Sequence, residues 1–311
     1  MSHSWTNIHC AHLLVHNEYW SKNDSLKKEL NKFRECRIWV ALGKVDDHWI
    51  KSFNFRYTRS GTFVTPYLEG SNIAVVQSDN FSGYEKAIKE HNKKYPDHPI
   101  EASLCLVHSR RRFVEPYRLY HNKLAAEVLN RFSKIFFTDK ELRDQYYNGS
   151  ISEEEFLKLR KKKEKPLLKQ LYDFLQPYYD GTHKIRDNAD LKDAVDYFMK
   201  NYDGLINYLN YSFLTPTNNC SEQMCKLVCL IRRNSLFSGS PKGAASSCFL
   251  MTLINTAIAN NINPEEYLRC LFEQAPYAET EEDWQRLLPW NIEITPFKLE
   301  GKWVRKDGVT L

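Results

Sequence analysis

Up to about residue 110, apolar residues come in short runs separated by polar and turn-forming segments. Ile8 to Val15, Arg37 to Leu42, Ile50 to Tyr57, Asn72 to Gln77 and Glu101 to Val107 are each rich in apolar, β-branched or aromatic residues, the texture of β-strands. The first three lie close enough in sequence to form an antiparallel meander. Helical stretches, Thr62 to Leu68 and Tyr84 to Lys94, precede the fourth and fifth. The predicted order is β-β-β-α-β-α-β.

From Arg111 to Ala278 the strand pattern gives way to helical spacing. Leu124, Val128, Leu129, Phe132 and Phe136 fall on one helix face, as do Phe156, Leu157 and Leu159 and, after Pro166, Leu167, Leu168, Leu171 and Phe174. Ser152 followed by Glu153, Glu154 and Glu155 marks a helix start with acidic residues in the first turn. Leu191 to Leu209 predicts one long helix. Glu222 to Ile231 and Ala244 to Asn260 predict a pair split by the loop from Asn234 to Gly243, and Pro264-Glu265-Glu266 opens a short helix. The segment after Trp284 carries no regular pattern.

Composition narrows the class. The 311 residues are 42% hydrophobic, enough to fill a core and to exclude wholesale disorder. The longest apolar stretches, such as Ile73 to Val76 and Cys248 to Ile254, fall far short of a membrane-spanning helix. The N-terminus lacks the basic start and apolar core of a secretory signal, so the cytoplasm is the expected compartment. Eight cysteines then read as reduced thiols. Cys220, Cys225 and Cys229 read as helix positions rather than a zinc site, and His9, His12 and His16 beside Cys10 as ordinary strand residues. With 44 Lys+Arg against 39 Asp+Glu the chain is only mildly basic. The positive charge gathers at Arg110-Arg111-Arg112, from Lys158 to Lys165, and at Arg232-Arg233, three places able to converge on a polyanion.

That strand order followed by helices is the arrangement of ribonuclease-H-like folds, whose carboxylates sit on the first strand, at the end of the fourth and on a later helix. Asp79 follows the apolar run Ile73 to Val76, and Glu222 opens a helix after Pro216-Thr217-Asn218-Asn219. Three spaced blocks then resemble insertion sequence 66 family transposases. Asn218-Asn219-Cys220-Ser221-Glu222, Arg232 to Ser240 with Gly243, Thr256-Ala257 and Asn263 to Leu268 are similar to that family's C-terminal signature. Asp79-Asn80-Phe81-Ser82-Gly83-Tyr84 is similar to its Asp-Gly-Tyr-x-Gly-Tyr segment, and Cys105 to Phe113 to its Cys-Trp-Ala-His-x-Arg-Arg-x-Phe block.

The resemblance implies a DDE-type catalytic domain, in which two aspartates and a glutamate hold two Mg²⁺ ions for DNA strand cleavage and strand transfer. Mg²⁺ prefers hard oxygen ligands, and two ions stabilise the attacking and leaving oxygens of an in-line displacement. By motif match Asp79 is the second aspartate and Glu222 the glutamate. Arg110, Arg111, Arg112, Arg232, Arg233, Asn218 and Asn219 are the expected nucleic-acid contacts. DNA, both element ends and target, is the expected partner, with a second copy or a full-length transposase as further candidates; no membrane is involved.

Two departures qualify this expectation. The family's first-strand aspartate is replaced by Asn17 in His16-Asn17-Glu18-Tyr19, and the residue after the glutamate is Gln223 rather than Arg. An amide at 17 weakens metal binding, and Glu18 points to the opposite strand face. The chain also starts 16 residues before Asn17, short of the family's N-terminal DNA-binding segments. The sequence therefore reads as a truncated, impaired transposase catalytic domain, the alternative being a non-enzymatic DNA-binding or regulatory remnant. The expected fold is α/β: a ribonuclease-H-like mixed sheet with three antiparallel strands and then two parallel ones, a large all-helical insertion and a helical C-terminal part. Residues 1–115 and 215–260 form the expected core, 116–214 the insertion and 261–311 a C-terminal segment.

Overall fold

The computed structural model of the chain describes residues 4–16, 33–45, 48–57, 64–68, 73–80, 82–185, 189–235 and 238–294. Its strands are β1 (Ser4–His16), β2 (Phe33–Val45), β3 (His48–Arg56), β4 (Val75–Ser78) and β5 (Glu101–Leu104), in the spatial order β3-β2-β1-β4-β5. β1 with β2 and β2 with β3 run antiparallel, β4 and β5 run parallel, and β1 meets β4 in parallel at the pair Asn7 and Gln77. The class is α/β, with helices in the majority.

Alternation along β2 explains why both faces of the sheet are covered. Ile38, Val40 and Leu42 point to one face and pack with Phe53 and Phe55 of β3 against Met224, Val228, Cys248 and Met251. These last four lie on α8 (Asn219–Ser235) and α9 (Pro241–Ala259). Trp39 and Ala41 point the other way, with Val76, and pack against α1 (Val64–Leu68) and α2 (Ser82–Lys94) through Val64, Leu68, Tyr84, Ala87 and Ile88. A period of two puts successive side chains on opposite faces, and each such buried side chain contributes about 1.5 to 3 kcal/mol.

Helix α9 also closes the sheet edge. The backbone N–H groups of Trp49, Lys51 and Phe53 donate to Asn260 Oδ1, Thr256 Oγ1 and Thr252 Oγ1 at 3.0, 3.1 and 2.9 Å. Four helix residues rise about 6 Å and two strand residues about 6.7 Å, so side chains every fourth residue of a helix can follow alternate N–H groups of an edge strand. An open edge would otherwise template pairing with another chain. Helix α9 begins at Pro241, with Ser240 accepting from Gly243 N at 3.0 Å, three residues earlier than its apolar spacing predicts.

Between β5 and α8 lie α3 (Leu106–Tyr120), α4 (Lys123–Tyr147), α5 (Glu153–Tyr179), α6 (Ala189–Lys200), α7 (Tyr202–Ile206) and a 3₁₀ turn over Asn207–Asn210. Asn122 and Ser152 cap α4 and α5 by accepting from Ala125 N and Glu155 N. Their buried residues, among them Phe113, Phe132, Leu171 and Phe198, share one core with Val75 and Leu104 of the parallel strands. Helix α5 runs unbroken through Pro166, which is exposed, because packing along 27 residues outweighs a proline cost of about 3 kcal/mol. One sequence expectation is corrected here. The expected single helix from Leu191 to Leu209 is divided at Asn201, whose side chain donates to Tyr197 O at 2.7 Å and accepts from Asn80 Nδ2 at 3.1 Å. Toward the C-terminus, α10 (Pro264–Gln274) and α11 (Glu281–Arg286), the latter with a Thr280/Asp283 capping box, pack through Tyr267, Cys270, Leu271 and Leu287 on the end of α9.

The run from Lys158 to Lys165 is not a uniform charged face. Its lysines are exposed, but Arg160 and Glu164 are fully buried. Arg160 donates through Nη2 to Asp139 Oδ1 (2.6 Å) and Leu214 O (2.9 Å), and through Nη1 to Tyr208 O and Tyr211 O (both 2.9 Å). Arg143 donates to both oxygens of Asp139, to Leu214 O at 3.0 Å and to Ser212 O at 3.4 Å. One carboxylate thus seats two guanidinium groups whose remaining donors hold four backbone carbonyls. Removing one partner of such a buried set costs about 3 to 5 kcal/mol, because it strands the others without water.

Glu164 accepts from Tyr208 Oη at 2.7 Å and lies 3.6 Å from Arg160 Nε. Burial, with Asp139 adding to it, pushes its carboxyl up to about 7 against the pull of Arg160. A carboxyl raised on folding is destabilising once the unfolded chain ionises it, so this group contributes a loss of stability as pH rises from about 4.5 to about 7. Glu164→Gln keeps the acceptor for Tyr208 and removes the titration. Urea unfolding at pH 5 and pH 8 should show the substituted chain losing less stability across that interval, by on the order of 1 to 3 kcal/mol; an unchanged pH dependence would place the proton elsewhere.

Candidate active site

Asp79 stands directly after β4, where the parallel pairing with β5 ends at Ser78 opposite Leu104. The next residue, Asn80, takes a left-handed conformation (φ 67°), one that asparagine tolerates better than most side chains. Its bond to Asn201 ties this strand end to the junction of α6 and α7. The fifth strand stops at Leu104 rather than Val107, because the Leu106 N–H is taken by Pro216 O at 2.8 Å and α3 starts there.

On α3, His108, Arg111, Arg112, Glu115 and Arg118 recur at helical spacing along one face. With Asp79, they line a cleft of about 640 Å³ whose far wall is Asp190, Asp193 and Tyr197 of α6. Arg112 lies over the Tyr197 ring, 4.1 Å from its centroid, a geometry that fixes the guanidinium plane. Burial pushes the Tyr197 phenol up, against the pull of Arg112, so the ring stays neutral. Three arginines face four carboxylates in this cleft, so it is a site of mixed charge and not a uniformly basic groove.

Glu222 approaches two residues of this cleft, His108 and Arg111, from the first turn of α8. Its Oε1 lies 3.6 Å from His108 Nε2 and its Oε2 4.0 Å from Arg111 Nη2. The start of α8 is fixed by backbone geometry: Asn218 O accepts from Ser221 N at 3.1 Å and Glu222 N at 3.3 Å, and Asn218 N donates to Cys105 Sγ at 3.4 Å. Burial pushes the Cys105 thiol up, which keeps it a neutral acceptor.

Asp79, Arg111 and Arg112 therefore line one cleft, and Glu222, outside its lining, lies beside His108 and Arg111. Arg110 is half-buried on another side of α3 and does not line the cleft. Arg232 and Arg233 sit at the far end of α8, Arg233 exposed and eleven residues, or about 16 Å of helix, beyond Glu222. Asn218 is 1% exposed, and its side-chain amide has no hydrogen-bond partner among the described residues, whereas Asn219 is exposed. Asn17 lies outside the described residues. The sequence reading missed His108 and Tyr197. His108 could have been found from its place three residues before Arg111 on a helix, which puts both on one face; Tyr197 carries no sequence signal beyond helical spacing.

The oxygen donors at Asp79 and Glu222 suit Mg²⁺ chemically. Among the described residues, however, no three His, Cys, Asp or Glu side chains group closely enough to hold a metal ion. The third ligand position of the resemblance, residue 17, lies outside them.

The sequence profile of the transposase IS66 family matches residues 23–246, and that of the IS66 C-terminal element matches residues 252–290. The chain belongs to the IS66 transposase family. Three proteins of Sinorhizobium fredii, each described as an uncharacterized protein, are similar to it. They are y4jD, 27% identical over 82% of this chain and 49% of its own length; y4hP, 28% over 68% and 38%; and y4qI, 21% over 78% and 43%. The chain thus spans about half or less of the length of these relatives. No solved structure shows a significant match to it. Among the described residues, no helix is long and apolar enough to cross a membrane.

The family makes DNA the partner to test, and the cleft-lining arginines of α3 are the cations to test it on. Replacing Arg111 and Arg112 together with Ala should reduce the slope of log affinity against log salt by about 2, because each phosphate contact releases about 0.9 of a counterion. Binding of a duplex measured by fluorescence anisotropy over a salt series reads this directly. A slope unchanged by the double substitution would remove α3 from the DNA interface.

Proposed function

We propose that the chain is the catalytic portion of a DDE-type transposase on a ribonuclease-H-like core, with Asp79 and Glu222 as two of its three metal-binding positions. The reading takes 1–115 with 215–260 as the core, 116–214 as a helical insertion and 261–311 as a C-terminal segment. The observation that carries it is that a strand-end carboxylate, Asp79, lines one cleft with His108, and that a helix-start carboxylate, Glu222, lies 3.6 Å from that histidine. Family membership supports it independently.

Each residue of the cleft has a task in this reading. Asp79 and Glu222 would hold Mg²⁺, which when bound supplies an activated water and stabilises charge on the phosphoryl oxygens. Arg111, 4.0 Å from Glu222 Oε2, offsets part of its charge, and His108 Nε2 lies 3.6 Å from its Oε1. Arg112, braced on Tyr197, presents a planar fork of donors suited to a phosphate. The acidic wall of Asp190 and Asp193 repels the phosphate backbone and confines it to the α3 side.

Asn17 is the weak point. An amide there withdraws one negative charge from the metal site, and a unit charge at 4 Å is worth about 4 kcal/mol at an effective dielectric of 20. In this reading the chain binds Mg²⁺ weakly and cleaves DNA slowly or not at all. That same residue favours a second reading, a DNA-binding or regulatory protein that occupies element ends or pairs with a full-length transposase.

Calorimetric titration of Mn²⁺ into the chain and into Asn17→Asp separates these, beside a nicking assay on DNA carrying element ends. The catalytic reading expects Asn17→Asp to tighten Mn²⁺ binding at least about tenfold, with nicking gained or increased. Equal affinity in the two proteins would remove residue 17 from the metal site. DNA binding without nicking in either protein would favour the regulatory reading.

A further inference from the structure

The polypeptide that links the helical insertion to α8 has no unsatisfied backbone carbonyl in its last stretch. Leu214 O accepts from both Arg143 and Arg160, Thr215 O from Gln77 Nε2 at 2.7 Å, Pro216 O from Leu106 N at 2.8 Å, Thr217 O from Thr215 Oγ1, and Asn218 O from Ser221 N and Glu222 N. Five consecutive carbonyls are thus each claimed by a different partner. Upstream, Tyr208 O, Tyr211 O and Ser212 O are held by the same two arginines. One end of this connector is fixed to the helical bundle, the middle to the ends of β4 and β5, and the last residue starts the helix that carries Glu222.

We propose that Arg143 and Arg160, seated on Asp139, are positioning residues for Glu222, and that they set its place in the cleft through the 208–218 connector. The proposal rests on the reading of Glu222 as a metal-binding position. Hydrophobic packing alone would hold the insertion together, and a buried ionic set is often no more stable than apolar residues of the same volume. What guanidinium groups add is direction. Each fork fixes carbonyls at set angles, so a shift of the connector by one residue would leave several buried groups unpaired. Gln77, on the strand that ends at Asp79, holds the same connector. The two carboxylates, some 140 residues apart in sequence, are thereby referenced to one another through side chains bonded to backbone carbonyls.

The test is hydrogen–deuterium exchange of the full chain with Arg143→Met, which keeps a long side chain and removes the fork. A control, Phe132→Leu, loosens the same helical core at a ring that packs against Phe113, Phe136 and Phe198 and makes no hydrogen bond to the connector. Arg143→Met should accelerate exchange in peptides covering 215–222 by about tenfold or more relative to Phe132→Leu, with the two compared at equal distance below their own melting temperatures. Peptides of α9 should be unchanged. Mn²⁺ affinity should fall in Arg143→Met and hold in the control. If Arg143→Met does not fold, Arg143→Lys, which keeps the charge and one contact but cannot span Ser212 O and Leu214 O, is compared in the same way. Acceleration confined to 123–179, or equal acceleration at 215–222 in the control, overturns the proposal. Absence of Mn²⁺ binding by the unmodified chain would defeat the metal reading alone, since the exchange comparison still decides the clamp.

Discussion

Buried backbone must be hydrogen-bonded, and in this protein that requirement governs the segment that matters most. The chain leaves the parallel strands at Leu104, wanders through a mainly helical segment of about one hundred residues, and must return to the same strand ends in a fixed register. It does so under cover, where each unpaired carbonyl would cost about 1 to 3 kcal/mol. Arg143 and Arg160 hold one half of the returning segment, and Gln77 and the Leu106 N–H hold the other. Glu222 follows within a few residues. The local geometry of the cleft therefore depends on contacts made well away from it.

The same logic explains the cleft's mixed charge. A surface built only to grip a polyanion would be uniformly basic, yet Asp79, Glu115, Asp190 and Asp193 face Arg111, Arg112 and Arg118. Carboxylates beside arginines bring the fixed charges of the cleft close to balance. The chain spans about half or less of its relatives' length.

Sequence was informative where structure follows from short-range periodicity. The alternation of Ile38, Trp39, Val40 and Ala41 is a strand covered on both faces, and Ser152 before three glutamates is a helix cap. It failed where a tertiary partner decides. Nothing local says that Asn201 ends a helix, since its partner Asn80 is 121 residues away, nor that a run of lysines conceals Arg160 and Glu164 turned inward. Arg160 and Glu164 look like one more exposed i,i+4 pair until Asp139 and Tyr208 are placed. In the site, Asp79 and Glu222 were legible because motif spacing marks them. His108 was in view inside a matched block but carried no role until Glu222 was found beside it.

The proposed function turns on Asp79 and Glu222 being two positions of one cation site, with His108 beside Glu222. Paramagnetic broadening by Mn²⁺ in an isotope-labelled chain measures this most directly, because broadening falls steeply with distance from the ion. The account predicts that the side-chain resonances of Asp79, His108 and Glu222 disappear together at the lowest Mn²⁺ concentrations, before those of Asp190 and Asp193. Broadening of Asp79 with Glu222 untouched, or of Asp190 and Asp193 first, would contradict it.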